Sequence, residues 1–186
     1  MPRQAFLFYV TDDSHRRQLC ASVPWSDGNV YFDGAADASN KFNRIVKALS
    51  PLDDQRTWNH WAFIYDQPQA RMSIYKNGVR WWSEQGKATR PMAPCNRLVI
   101  GADGDAKGHF AGAICEVRLW SVTRTSTQIR ENMVRRIPGA DDGLIASYAL
   151  DQFVQAGQSI PDRSGGGRNG VLRGTTVWAL KPGALL

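Results

Sequence analysis

Arg71-Met72-Ser73-Ile74-Tyr75-Lys76-Asn77-Gly78-Val79-Arg80-Trp81-Trp82-Ser83 decides the fold class. Asn-Gly stands between two runs rich in β-branched and aromatic residues. It is the pair a two-residue type I′ turn requires, because both central positions take φ > 0. The stretch therefore predicts a β-hairpin, Arg71–Lys76 against Val79–Ser83.

Working outward, the same character repeats. Upstream lie Phe6–Val10, closed by the polar turn Asp12–His15; Gln18–Val23, ending at Pro24-Trp25-Ser26-Asp27-Gly28; Asn29–Asp33, followed by a polar loop; and Trp58–Asp66. Downstream lie Leu98–Gly101 and a long run, Phe110–Trp120. In that run Ala113, Cys115, Val117 and Leu119 share one face, taken as core, because strand side chains alternate. One helix follows. Thr125-x-x-Gln128 is a capping box, Ile129, Met133 and Ile137 recur at a spacing of four, and Pro138-Gly139 stops it. Gly143–Leu150 returns to strand. A Ser/Gly-rich loop, Asp162–Asn169, precedes two short runs, Gly170–Arg173 and Thr176–Leu180. Many short strands with a single helix predict an all-β antiparallel sandwich, with one short helix after the long strand ending at Trp120. The length of 186 residues suits one domain, residues 1–186.

Composition narrows the partners. The formal charge is +6 and the pI about 9.5, which favours acidic partners such as uronic or sulfated glycans. The basic residues are dispersed, with short doublets only at Arg16-Arg17 and Arg135-Arg136, so nucleic-acid binding is not expected. Mean hydropathy is −0.40 and no apolar run approaches ~18 residues, so no membrane-inserted helix is expected. The apolar N-terminal run reads as a strand and not as a signal peptide. Cys20, Cys95 and Cys115 lack C-x-x-C spacing, which argues against zinc and for free, buried thiols.

The order of four segments carries a family resemblance: Trp58-Asn-His-Trp-Ala-Phe-Ile-Tyr-Asp66, Ser73-Ile-Tyr-Lys-Asn-Gly-Val79, Arg97-Leu-Val-Ile-Gly101 and Phe110-Ala-Gly-Ala-Ile-Cys-Glu-Val-Arg-Leu-Trp120. Gly143-Leu-x-x-x-Tyr-x-Leu-Asp151 and Asp162-x-Ser-Gly with Asn169-Gly-x-Leu172 extend it. The chain resembles laminin-G/pentraxin domains, of the concanavalin A-like lectin/glucanase superfamily. The resemblance implies a jelly-roll sandwich that lacks the family's usual opening strands, and an extracellular or surface setting. It also implies a calcium loop after the Leu-x-Ile-Gly strand. The matching loop holds Asp103, Gly104 and Asp105, with Asp12 or Asp13 from the first turn as further oxygen donors. The alternative is that Asp103 and Asp105 are turn residues bonding nearby backbone.

Glycan binding calls for aromatic rings exposed beside polar groups. Among the seven tryptophans, Trp25 lies in a turn beside Asp27 and Asn29, where it is equally suited to cover the end of the sandwich. Trp81 and Trp82, adjacent in one strand, are expected to point to opposite faces. Glycosidase chemistry needs clustered carboxylates, and none appears, since Glu116 is alone in its strand and suited to pair with Arg118. The leading expectation is a non-catalytic carbohydrate-recognition module, calcium-assisted, with Trp25, Trp81 and Trp82 as ligand contacts. A structural or interaction domain of a larger surface or virion assembly, partnered by its own copies or a neighbouring domain, is the alternative. A glycoside hydrolase on the same fold is the third reading.

Overall fold

The computed structural model describes residues 5–50, 53, 57–137, 139–151 and 154–174. They form the antiparallel, nearly all-β structure expected of a jelly-roll sandwich, with one helix among the described residues. Two compact units divide the chain, Met1–Ala111 and Gly112–Leu186.

The first unit holds two sheets. Strands β1 (Phe8–Thr11), β2 (Arg17–Ser22), β3 (Asn29–Gly34), β4 (Asn43–Ala48) and β8 (Arg97–Ile100) form a five-stranded sheet in the order β4-β3-β2-β1-β8. Strands β5 (Trp61–Asp66), β6 (Arg71–Lys76) and β7 (Val79–Gln85) form a three-stranded one. Register explains how one sequence makes two chemically different faces. Ile100, Phe8, Ala21, Phe32 and Ile45 line up across the five strands. Phe32 and Ile45 pack with Val23, Val30, Met72, Ile74 and Ala88 into the core between the sheets. One residue along, Val99, Tyr9, Cys20, Asp33 and Arg44 form the opposite, outer row. A period of two thus separates a dry row from a polar one.

The Asn77-Gly78 hairpin is present, with φ of 50° and 78°. Strand β4 was not expected from the sequence. Its Ile45 alone is fully buried, between Arg44 and half-buried Val46, so the alternation is too short to stand out.

In the second unit β9 (Glu116–Trp120) pairs with β10 (Leu144–Ala149), and β11 (Ser159–Ile160) pairs with β12 (Gly170–Val171). The expected long strand from Phe110 shortens to Glu116–Trp120, because the chain bends at Ala111 and Gly112 and joins no ladder until Glu116. The helix α1 (Ser126–Asn132) starts at its expected capping box, with Thr125 Oγ1 accepting from the Gln128 N–H. It ends earlier than the apolar spacing suggests. Arg118, held by Glu116 at 2.5 Å, donates to the carbonyls of Asn132 and Arg135 and so satisfies the helix end. The expected last strand, Thr176–Leu180, and the helix-stopping Pro138 lie outside the described residues.

Candidate functional site

The site is built around β1. A register shift between Val10 and Thr11 leaves Gln18 as the extra residue of β2. Gln18 is fully buried, and its amide donates to Asp12 Oδ2 and the Ala36 carbonyl while its Oε1 accepts from the Ala93 N–H. Asp12 in turn accepts from the N–H groups of Ser14 and Arg16 and from the Arg16 guanidinium. Burial alone would raise the Asp12 carboxyl, but the backbone N–H of Arg16 and its neighbours outweigh burial and hold it below the usual carboxylate range. The β1–β2 turn that carries His15 is thereby fixed.

The loop 101–108 closes over the other side of β1. Gly101 N–H donates to the Leu7 carbonyl, Phe6 N–H to that of Gly108, and Asp103 N–H to that of Lys107, all at 2.9 Å. Asp103 Oδ1 accepts the N–H groups of Asp105 and Lys107 at 2.9 and 2.8 Å. Gly104 lies over the Tyr9 ring with room for ordinary contact. A Cβ there would lie 3.4 Å from the Tyr9 ring.

Between turn and loop lies a shallow cavity of about 200 Å³, lined by Phe6, Tyr9, Thr11, His15, Arg97, Asp103, Gly104 and Asp105. Tyr9 is on the outer row, and burial pushes its hydroxyl above the ordinary tyrosine value. Rings continue from the cavity in a string of edge contacts. Centroids are 5.4 Å apart for Tyr9–Phe6, 5.2 Å for Phe6–Trp25 and 6.2 Å for Trp25–Tyr31. At the far end Asp27 accepts from the Tyr31 hydroxyl at 2.7 Å and from the Asn29 amide. The Tyr31 hydroxyl and the Asn29 N–H hold the Asp27 carboxyl below its usual value. Behind the string, Asp33 is paired bidentately by Arg44 at 2.6 and 2.8 Å and by Arg17 at 2.9 Å. The Cys20 thiol donates to the same carboxylate. Burial first, then Asp33, pushes that thiol far above its ordinary value, so it is an inert packing group.

The expected ligand residues divide between two places. Trp25 joins the string, and Asp103, Gly104 and Asp105 line the cavity. Asp13 accepts from the Asn96 amide and is not part of the lining. Trp81 and Trp82 stand apart. Trp81 packs against the core while Trp82 is exposed, so one of the two lies outside the core as expected, and β7 carries a bulge at this point. Ile74 pairs with Trp82 and Tyr75 with Arg80, so Trp81 is the extra residue. Both rings meet one Lys47 ammonium, at 4.3 and 5.3 Å, and Trp81 also packs edge-on to Trp61. Of the three thiols only Cys20 is buried; Cys95 is exposed and Cys115 half-buried.

Phe6, Tyr9, His15 and Arg97 were not anticipated as site residues. Alternation would have offered Tyr9, opposite in facing to Phe8 and Val10. Phe6 was hidden by a bend at Leu7, which lets Leu7 and Phe8 both pack against the core.

A two-sheet antiparallel sandwich with rings and hydrogen-bonding side chains on the outside of one sheet is a lectin-like architecture. Residues 4–130 match the family model described as the concanavalin A-like lectin/glucanases superfamily, and the chain belongs to it. Among solved structures it is similar to a Bacteroides ovatus ATCC 8483 protein whose assigned role, carbohydrate binding, is itself provisional. The identity is 25%, the TM-score 0.62, and the match covers 90% of this chain and 51% of that one. The chain thus spans about half the length of that protein. No curated protein matches in sequence. Among the described residues, no helix is long and apolar enough to cross a membrane.

Proposed function

We propose that this chain is a non-catalytic carbohydrate-recognition module whose binding face is the outer side of the five-stranded sheet. The observation that carries this reading is the ring string Tyr9–Phe6–Trp25–Tyr31, which runs from a polar cavity to the Asp27 carboxylate. Apolar sugar faces stack on rings while hydroxyls need fixed acceptors, and both are supplied along one surface. Superfamily membership and the similar Bacteroides protein support it. The formal charge of +6 favours glycans bearing carboxylate or sulfate groups.

Catalysis is disfavoured by what the carboxylates do. Glu116 is committed to Arg118, and Asp103 to two backbone N–H groups. Both are thus engaged in holding the fold, whereas glycoside cleavage needs a pair of acids free to act on the sugar. Calcium assistance rests on Asp103 and Asp105. Calcium takes six to eight oxygens, and among the described residues no three His, Cys, Asp or Glu side chains cluster to hold a metal. The proposed binding therefore does not depend on calcium. A thermal melt with and without calcium tests this. No shift is expected, and a rise of several degrees that Asp103→Asn abolishes would overturn it.

The test of the module is a glycan array probed with the intact chain, followed by titration of each hit. Tyr9→Ala and Trp25→Ala should each weaken binding several-fold to about tenfold, since an aromatic contact contributes about 0.5–1.5 kcal/mol. A blank array, or hits insensitive to both substitutions, would contradict the reading.

A further inference from the structure

Arg97 differs from the other arginines around the site. Arg16 pairs with Asp12, and Arg17 and Arg44 pair with Asp33. Arg97 lines the cavity, is exposed, and has no carboxylate or hydrogen-bond partner among the described residues. Its position is set by the ladder. It stands opposite Thr11 while Val99, two residues on, stands opposite Tyr9, so Arg97 and Tyr9 share the outer face as diagonal neighbours. Neither of the cavity's two carboxylates pairs with Arg97. Asp103 Oδ1 is held by two backbone N–H groups, and Asp105 is largely in solvent with Lys107 4.0 Å away. A planar guanidinium with no partner, beside two rings and two hydrogen-bond acceptors, is an unfilled recognition geometry.

Resting on the carbohydrate reading above, we infer that this cavity is a subsite for an acidic pyranose, a hexuronate residue. Arg97 pairs with the sugar carboxylate through its two-pronged fork. Phe6 and Tyr9 meet the apolar ring face, and the carboxylates of Asp103 and Asp105 accept from the ring hydroxyls. A neutral sugar would satisfy the rings and the acceptors but leave Arg97 unused.

The test is calorimetric titration of the intact chain, at physiological salt, with short oligomers of glucuronate, galacturonate and mannuronate. Each is measured beside its carboxyl-reduced neutral counterpart. At least one uronate is expected to bind about tenfold or more tightly than its reduced form, the ratio expected of one charge-assisted contact. Arg97→Gln should level the pair by removing the uronate's advantage over the neutral form. Because Arg97 has no partner to lose, its melting temperature should match that of the parent. Lys41→Gln, which removes one positive charge outside the cavity, should keep the preference. Equal binding of uronate and reduced forms would overturn the inference while leaving the carbohydrate reading intact. So would a preference that survives Arg97→Gln, or one that Lys41→Gln removes equally. Failure of every oligomer, acidic and neutral, would overturn the carbohydrate reading itself.

Discussion

At the scale of single residues, Asp162 shows how a motif becomes a structure. Its Oδ1 accepts the N–H groups of Ser147 and Ser164, and its Oδ2 accepts the Arg168 N–H and the Ser164 hydroxyl. Burial would raise this carboxyl, but the N–H groups of Ser164 and Ser147 and the other donors bring it down to about 2. The sign follows. A lowered folded value stabilises the protein fully above the unfolded value, about 4, and the contribution fades as pH falls through about 2. Asp162→Asn should therefore cost about 1–2 kcal/mol at pH 7, by urea denaturation, allowing for its partial exposure. The penalty should shrink towards zero near pH 2. A penalty independent of pH would show that packing, and not charge, is what the carboxylate supplies. The sequence displayed Asp162, Ser164 and Asn169 as a spaced set, but not that one carboxylate would gather four donors. That requires the turn to fold first.

At the scale of elements, turn chemistry was the most legible part of the chain. Asn77-Gly78 marked its hairpin because left-handed backbone at two successive positions has few sequence solutions. Gly78→Ala, at a φ of 78°, should cost about 1 kcal/mol and lower the melting temperature by several degrees. The Thr125–Gln128 box placed the start of α1 equally well, and Thr125→Ala should destabilise by about 1 kcal/mol. Both are read from thermal melts, and an unchanged melt would mean the element is held by packing alone. Bulges were illegible. One residue added to a strand leaves the apolar pattern almost unaltered, yet it brought Trp81 and Trp82 to the same lysine and turned Gln18 inward. The helix end was missed for a related reason. Arg118 reaches Asn132 and Arg135 from another strand, a contact that no local spacing encodes.

At the scale of the whole molecule, the sandwich followed from the count and order of strands, and its core followed from alternation. Phe32, 1% exposed, meets Phe63 of the facing sheet at 5.3 Å and has no polar alternative. Phe32→Ala should cost about 3–5 kcal/mol, measured by denaturant midpoint, whereas Tyr9→Ala on the outer row should cost far less. The candidate site was only half legible, because it joins residues 6–15 to residues 97–105. Those segments meet through the β1–β8 pairing, which the strand patterns did not specify. The metal motif drew attention to Asp103 and Asp105, while the side chains that give the cavity its character, Tyr9 and Arg97, belong to ordinary-looking strands. Recognition of carbohydrate is proposed for the outer face around this cavity. It is tested most directly by amide chemical-shift mapping of the intact chain, titrated with a panel of neutral and acidic oligosaccharides. Saturable shifts are expected, concentrated at residues 6–15, 25–31 and 97–108. Shifts centred instead on Lys47, Trp81 and Trp82, or no saturable shifts with any oligosaccharide, would contradict it.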